Sequence, residues 1–292
     1  MIHHILLFVN MGIIRKSLTK CDGSQAKTLA NRGITWYNAD AVEFKLFGEA
    51  DRKMLILAFE TSAKAASVAL LEDGKLLGEC YQNTGLTHSQ TLLVMAQSLL
   101  DQCGKTVEDV TAAAVAAGPG SFTGVRIGVA AAKGFAWGRE IPCYGVSTLE
   151  AMALSFGGYQ GYVCPCMDAR RSQVYNALFY VNHGTLERKT PDRAISLADL
   201  GGELENLKEP IFLVGDGSNL CYNTLLERVP ALVLPAEHRM HQRASGVALG
   251  AEAMAKAGEP GDANALAPNY LRLSQAERER AERLKAENQI SE

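Results

Sequence analysis

Residues 111–138, TAAAVAAGPGSFTGVRIGVAAAKGFAWG, constrain what this chain can fold into more than any other stretch. A short run of small apolar residues suits a buried strand. It breaks at Gly118-Pro119-Gly120 and passes into a helical pattern that carries glycines at 124, 128, 134 and 138. Glycine inside a helix costs about 1 kcal/mol relative to alanine, so four of them need a reason. Two are available. Glycines at a strand-to-helix turn let backbone N–H groups approach an anion at the helix N-terminus. Alternatively, Gly124, Gly128 and Ala132 form a strip with almost no side chain against which another helix can pack.

Before this stretch, Leu55–Phe59 is an apolar run that predicts a buried first strand, closed by Glu60, Thr61 and Ser62. These three could face a phosphate or a metal-bound water, or could simply cap a polar turn. Ser67–Leu71 and Lys75–Gln82 predict a second and third strand around an Asp73-Gly74 hairpin turn. Residues 87–103 then carry Leu92, Met95, Ala96, Leu99, Leu100 and Cys103 at helical spacing. Leu93 and Val94 add apolar surface beside that stripe, making the helix a candidate partner surface. His88 sits at its start, where a capping or surface role competes with that of a ligand or base. A strand at Ile141–Val146 and a helix at Thr148–Phe156 complete a first α/β unit, and residues 157–161 mark a boundary.

The second unit opens as the first did. Tyr162–Met167 predicts a strand ended by Asp168, and Ser172–Val181 a second strand. Glu60 and Asp168 thus stand at matching places, which predicts duplicated α/β domains facing a cleft. Asp168 could be functional or could pair with Arg170 or Arg171. Residues 187–210 read as polar and peripheral with one short helix at Leu197–Leu207. Ile211–Val214 is a strand leading through Gly215-Asp216-Gly217-Ser218 to a helix near Leu220–Arg228. A short strand at Leu232–Leu234 and a helix at Arg243–Ala257 follow. The domains expected are an N-terminal extension over 1–53, a first domain over 54–157, a second over 158–272 and a charged tail over 273–292.

With 292 residues and a net charge of −3, the chain has room for two modest domains and no excess charge for broad nucleic-acid binding. No membrane span or secretory signal stands out at Met1–Asn10. Seven dispersed cysteines read as reduced thiols of a cytoplasmic protein, Cys164-Pro165-Cys166 being too close for a CxxC redox pair. His238 and His241 lack the carboxylate or thiolate neighbours of a metal site. The loop at 118–124 has no Gly-Lys-Ser/Thr after it, and its glycines miss the GxGxxG spacing by one residue. Neither a nucleophile elbow nor a His-Glu-x-x-His helix is present. Glycines and hydroxyls without a base, nucleophile or metal cluster point away from catalysis by this chain alone.

The segments AFETS, AAGPGSFTGVRIG from Ala116, MDARRSQVY from Met167 and PNYLR from Pro268 together resemble the TsaB (YeaZ) family, over roughly Met54 to Arg272. That resemblance implies a duplicated fold of the actin, Hsp70 and sugar-kinase ATPase type (ASKHA) without a working active site. It also implies a non-catalytic subunit that supports TsaD in transferring threonylcarbamoyl to adenosine 37 of tRNAs reading ANN codons. Related TsaD proteins carry a His-x-x-x-His metal pair on the helix after the third strand; here His88 is followed four residues later by Leu92.

The resemblance further implies ATP and metal on partner subunits rather than here, a TsaE-type ATPase as a second partner, self-association when TsaD is absent, and tRNA reached only through the partner. It assigns the helices at His88–Cys103 and Ser121–Trp137 to the interface, with His88, Leu92, Met95, Leu99, Gly124, Arg126, Gly128 and Ala132 as contact residues. Glu60, Thr61, Ser62, Gly118, Gly120, Ser121 and Asp168 are the expected remnants of a nucleotide site. A small kinase or ATPase of the same fold, dependent on Glu60 or Asp168, is the competing reading. A peptidase is a weaker one that no constellation supports.

Overall fold

The computed structural model describes residues 53–272. The expected N-terminal extension and charged tail lie outside them. Two sheets are built from one repeated plan. In the first, β1 (Leu55–Glu60), β2 (Ala66–Glu72) and β3 (Lys75–Gln82) run antiparallel, while β4 (Ala112–Gly118) and β5 (Cys143–Ser147) run parallel to β1, giving the order β3-β2-β1-β4-β5. Asp73 and Gly74, with φ of 47° and 79°, turn the β2–β3 hairpin through the left-handed region that an Asp-Gly pair tolerates. β1, β2 and β4 are apolar almost throughout, because helices cover both sides of the sheet centre.

The second sheet repeats the plan around β6 (Gly161–Asp168). Its antiparallel partner is split into β7 (Gln173–Asn176) and β8 (Phe179–Asn182), which pair with opposite halves of β6. β11 (Ile211–Val214) and β12 (Leu232–Val233) continue it in parallel. Where one strand was expected over 172–181, Ala177 and Leu178 interrupt the ladder. The stretch expected to be peripheral also contributes two strands, β9 (Thr185–Arg188) beside β8 and β10 (Arg193–Ser196) beside β7. Their mixed polar sequences follow from lying at sheet edges, where alternation between core and solvent is weak.

Helices α1 (His88–Gln102) and α2 (Phe122–Arg139) cover one face of the first sheet, sharing a core with Leu57, Phe59, Val68 and Val115. The opposite face is covered by α3 (Thr148–Leu154) and, unexpectedly, by a helix from much later in the chain. The second sheet is flanked by α4 (Leu197–Leu204) and α5 (Ser218–Leu225), followed by the short α6 (Glu237–Met240). α7 (Ala244–Lys256) then returns to pack Val247, Ala248 and Ala251 on β1, β2 and β4. A boundary at residue 157 therefore does not divide the molecule into two contiguous halves: the first sheet needs chain from both sides of it.

This returning helix owes its N-terminus to other strands. Arg243 at its N-cap supplies no side-chain cap. Instead Ser67 Oγ accepts the Ala244 N–H (3.1 Å), and Glu79 Oε1 accepts both the Ser67 hydroxyl (3.1 Å) and the Ser245 N–H (3.0 Å). Glu79 Oε2 meets Arg243 at 3.1 Å.

In the second core, Cys164, Cys166 and Cys221 are fully buried. Hydrogen bonding with the neighbouring Cys164 and Cys221 thiols, together with burial, holds the Cys166 thiol well above its ordinary range, which keeps it protonated. The six cysteines among the described residues are free.

Candidate functional site

β1 and β6 both end at a cleft of about 540 Å³, lined on one side by Ser62, Lys64, Gly120, Ser121 and Phe122, and on the other by Asp168, Arg170, Asp216 and Arg272. The first wall is set by the glycine loop, and each of its glycines has a local cause. Gly118 has φ 116°, and an added Cβ there would strike the Asn269 carbonyl oxygen. A Cβ at Gly120 would meet Ser62, one at Gly124 the Thr61 carbonyl, and one at Gly128 the Thr61 hydroxyl and Val115. Thr61 Oγ1 donates to the Gly124 carbonyl at 2.7 Å.

The strip at Gly124, Gly128 and Ala132 is thus filled by β4 and the turn after β1 of this same chain. As contact residues for a second protein these three are corrected: they are buried. Leu92, Met95 and Leu99 are corrected likewise, because they face the first sheet's core. Arg126 is exposed but already engaged, its Nε donating to the Tyr270 hydroxyl at 2.7 Å. His88 is half-buried, its Nε2 2.8 Å from the Ala63 carbonyl oxygen; it ties α1 to the turn after β1.

The loop is also tied to its neighbours by hydrogen bonds. Ser121 N–H donates to the Ser62 carbonyl at 2.7 Å, and Asn269 N–H to the Ala117 carbonyl at 2.6 Å. Ser121 Oγ caps α2 by accepting the Gly124 N–H at 3.3 Å. Residues 268–272 therefore run as a strap across the turn where a phosphate would sit. Tyr270 stacks on Phe122 with ring centroids 4.4 Å apart, Arg126 lies over both rings, and Arg272 donates to the Ala169 carbonyl at 2.7 Å.

The floor is acidic. Glu60 is buried, and its Oε1 accepts the Ser62 N–H at 2.6 Å, while Oε2 has no partner among the described residues. Burial pushes its carboxyl up to about 7, hydrogen bonds from Ser62 oppose that, and the Asp216 charge adds to it. Asp216 opens toward the cleft, yet protein surrounds its carboxyl closely enough that burial raises it too, with Asp168 contributing. Asp168 forms no ion pair with Arg170 or Arg171; it accepts the Arg170 backbone N–H at 2.7 Å. Arg170, Arg171 and Ser172 all turn through the left-handed region, with φ of 61°, 56° and 54°.

Among the described residues no group of three or more His, Cys, Asp or Glu is placed to hold a metal ion. Lys64, Phe122 and Asp216 were not singled out by sequence as site residues. Asp216 was legible from the duplication: Gly215, with φ 102°, ends β11 against β6 just as Gly118 ends β4.

On the outside of α1 and α2 lies a second feature. Leu93 and Val94 are 58% and 68% exposed, and Trp137 and Leu86 are also open to solvent. Leu86 and Ile127 line a shared groove of about 320 Å³ with Thr87, His88 and Thr123. The α2 glycines that face outward are Gly134 and Gly138, next to which an added Cβ would meet nothing.

The twice-used sheet plan with an inter-sheet cleft places the chain in the broader actin-like class of α/β folds, with the phosphate turn filled by its own chain. The family model described as TsaD, tRNA N6-adenosine threonylcarbamoyltransferase, matches residues 82–280. The tRNA threonylcarbamoyladenosine biosynthesis protein TsaB of Bacillus subtilis is 36% identical over 228 residues, covering 77% of this chain and 96% of that protein. The TsaB of Escherichia coli is 43% identical over 124 residues, 42% of this chain and 53% of that one. The solved structure of YeaZ from Pseudomonas aeruginosa superposes with a TM-score of 0.61 at 28% identity, covering 75% of this chain and all of that one. The chain belongs to the TsaB family.

Proposed function

We infer that this chain acts as the non-catalytic TsaB subunit that supports TsaD in making threonylcarbamoyladenosine on tRNA. The observation that carries this is likeness to a TsaB protein along nearly its whole length. The site agrees: at the turn that would cradle a nucleotide phosphate, the Ser121 N–H is spent on the Ser62 carbonyl and the Ala117 carbonyl is met by the Asn269 N–H of the C-terminal strap, and Leu92 replaces the second histidine of the TsaD pair. A kinase of the same fold would need that turn open to its substrate's phosphate.

The docking face for TsaD is the outer side of α1 and α2, around Leu86, Leu93, Val94, Ile127, Gly134 and Trp137. Large apolar side chains left exposed on neighbouring helices suit protein–protein contact. Docking there activates TsaD by favouring its competent conformation. A TsaE-type ATPase joins where the two subunits meet, and the same apolar face supports self-association when TsaD is absent.

Purified chain and TsaD should co-elute on size exclusion, and tRNA modification by TsaD should require the chain. Modification that proceeds equally well without it would refute the assignment.

A further inference from the structure

We propose that the mouth of the inter-sheet cleft binds a single-stranded segment of RNA directly. The proposal rests on the tRNA-modification reading above and departs from tRNA contact through the partner alone. Three cations line the cleft, Lys64 from the turn after β1, Arg170 from the turn after β6, and Arg272 from the C-terminal strap. Among the described residues, the side chains of Lys64 and Arg170 make no ion pair, and Arg272 is engaged only with a backbone carbonyl. Elsewhere Lys105, Arg188, Arg193, Arg228 and Arg243 are each neutralised by a carboxylate. Three cations without a carboxylate partner at one opening give local attraction for anions on a chain of net charge −3.

At the same wall Phe122 lines the cleft and stacks on Tyr270, a residue 38% exposed, with Arg126 against both. Aromatic rings interleaved with cations are what unpaired bases and their phosphates require.

The interior decides between RNA and a free nucleotide. Glu60, Asp168 and Asp216 make the floor acidic, so a triphosphate seated deep would meet repulsion. A phosphodiester chain crossing the mouth meets the cations and leaves the floor to water.

The test is binding of an unmodified tRNA transcript to the full chain, alone and in complex with TsaD, across a salt series. A Lys64→Ala/Arg170→Ala double variant removes two exposed side chains that hold nothing else. It should bind about tenfold more weakly, with the slope of log affinity against log salt flatter by about 1.4, as expected for two lost phosphate contacts on a single strand. Arg170→Lys should keep the slope. An unchanged affinity and slope in the double variant overturns the proposal. Displacement of the transcript by micromolar ATP, with ATP binding also lost in the variant, would make the cleft a mononucleotide site and overturn it equally. Failure of the wild-type chain to join TsaD would refute the subunit assignment instead, because the RNA measurement on the chain alone does not depend on that complex.

Discussion

A methyl group at Gly128 would run into the Thr61 hydroxyl and come within 3.1 Å of Val115 Cγ2. Both neighbours belong to the sheet core, so Gly128→Ala should destabilise the fold by about 1–3 kcal/mol, as overpacking does, read as a lower urea midpoint with an unchanged slope. At Gly134, by contrast, an added Cβ meets open space, and alanine there should stabilise by about 0.5–1 kcal/mol through helix propensity. Glu60 makes the fold sensitive to pH. Its folded-state carboxyl titrates at about 7 against an ordinary 4.5, so the native state holds the proton more tightly than the unfolded chain. Its contribution is present in full below about pH 4.5 and is lost as pH rises through about 7. For a buried group shifted this far the loss is about 3 kcal/mol. Urea denaturation of Glu60→Gln should show the variant gaining on the wild type by about that amount between about pH 4 and pH 8. A pH-independent difference would contradict the assignment.

At the scale of the element, α7 is held in place by strands that precede it by some 165 residues in sequence, through Ser67 and Glu79. Glu79→Ala leaves the Ser245 N–H and Arg243 without their acceptor at a helix start. It should therefore destabilise by about 1–2 kcal/mol, measured by chemical denaturation, with the double variant Ser67→Ala/Glu79→Ala less than additive because the two groups form one network. The individual strands and helices were largely legible, since periodicity and turn residues report local preference. The α1 stripe at Leu92, Met95 and Leu99 read as helical, and it is. What periodicity left open was which neighbour buries that stripe: the chain's own sheet does. The same applies to Gly124 and Gly128, whose small size signals close approach without naming what approaches.

For the molecule as a whole, the partner surface we propose lies one helix face outward of the buried stripe, at the exposed Leu93, Val94, Trp137 and their neighbours. Val94→Asp places a charge on an exposed position with no core role, so melting should stay within about 0.5 kcal/mol of wild type. Its affinity for TsaD should fall at least about tenfold, read by size exclusion or calorimetry. An unaltered complex would remove this face from the interface. By itself the sequence determined most of the element order of the first sheet, the duplication signalled by Glu60 and Asp168, and the family, because local periodicity and motif identity are written in neighbouring residues. Only the tertiary structure decided that the glycine strip packs inward, that α7 closes the first sheet, and that Asn269 and Tyr270 fill the phosphate turn. Each of these involves residues more than 60 positions apart, such as Thr61 with Gly124 or Asn269 with Ala117, and such pairings are selected by shape and hydrogen-bond satisfaction in three dimensions rather than by any pattern along the chain.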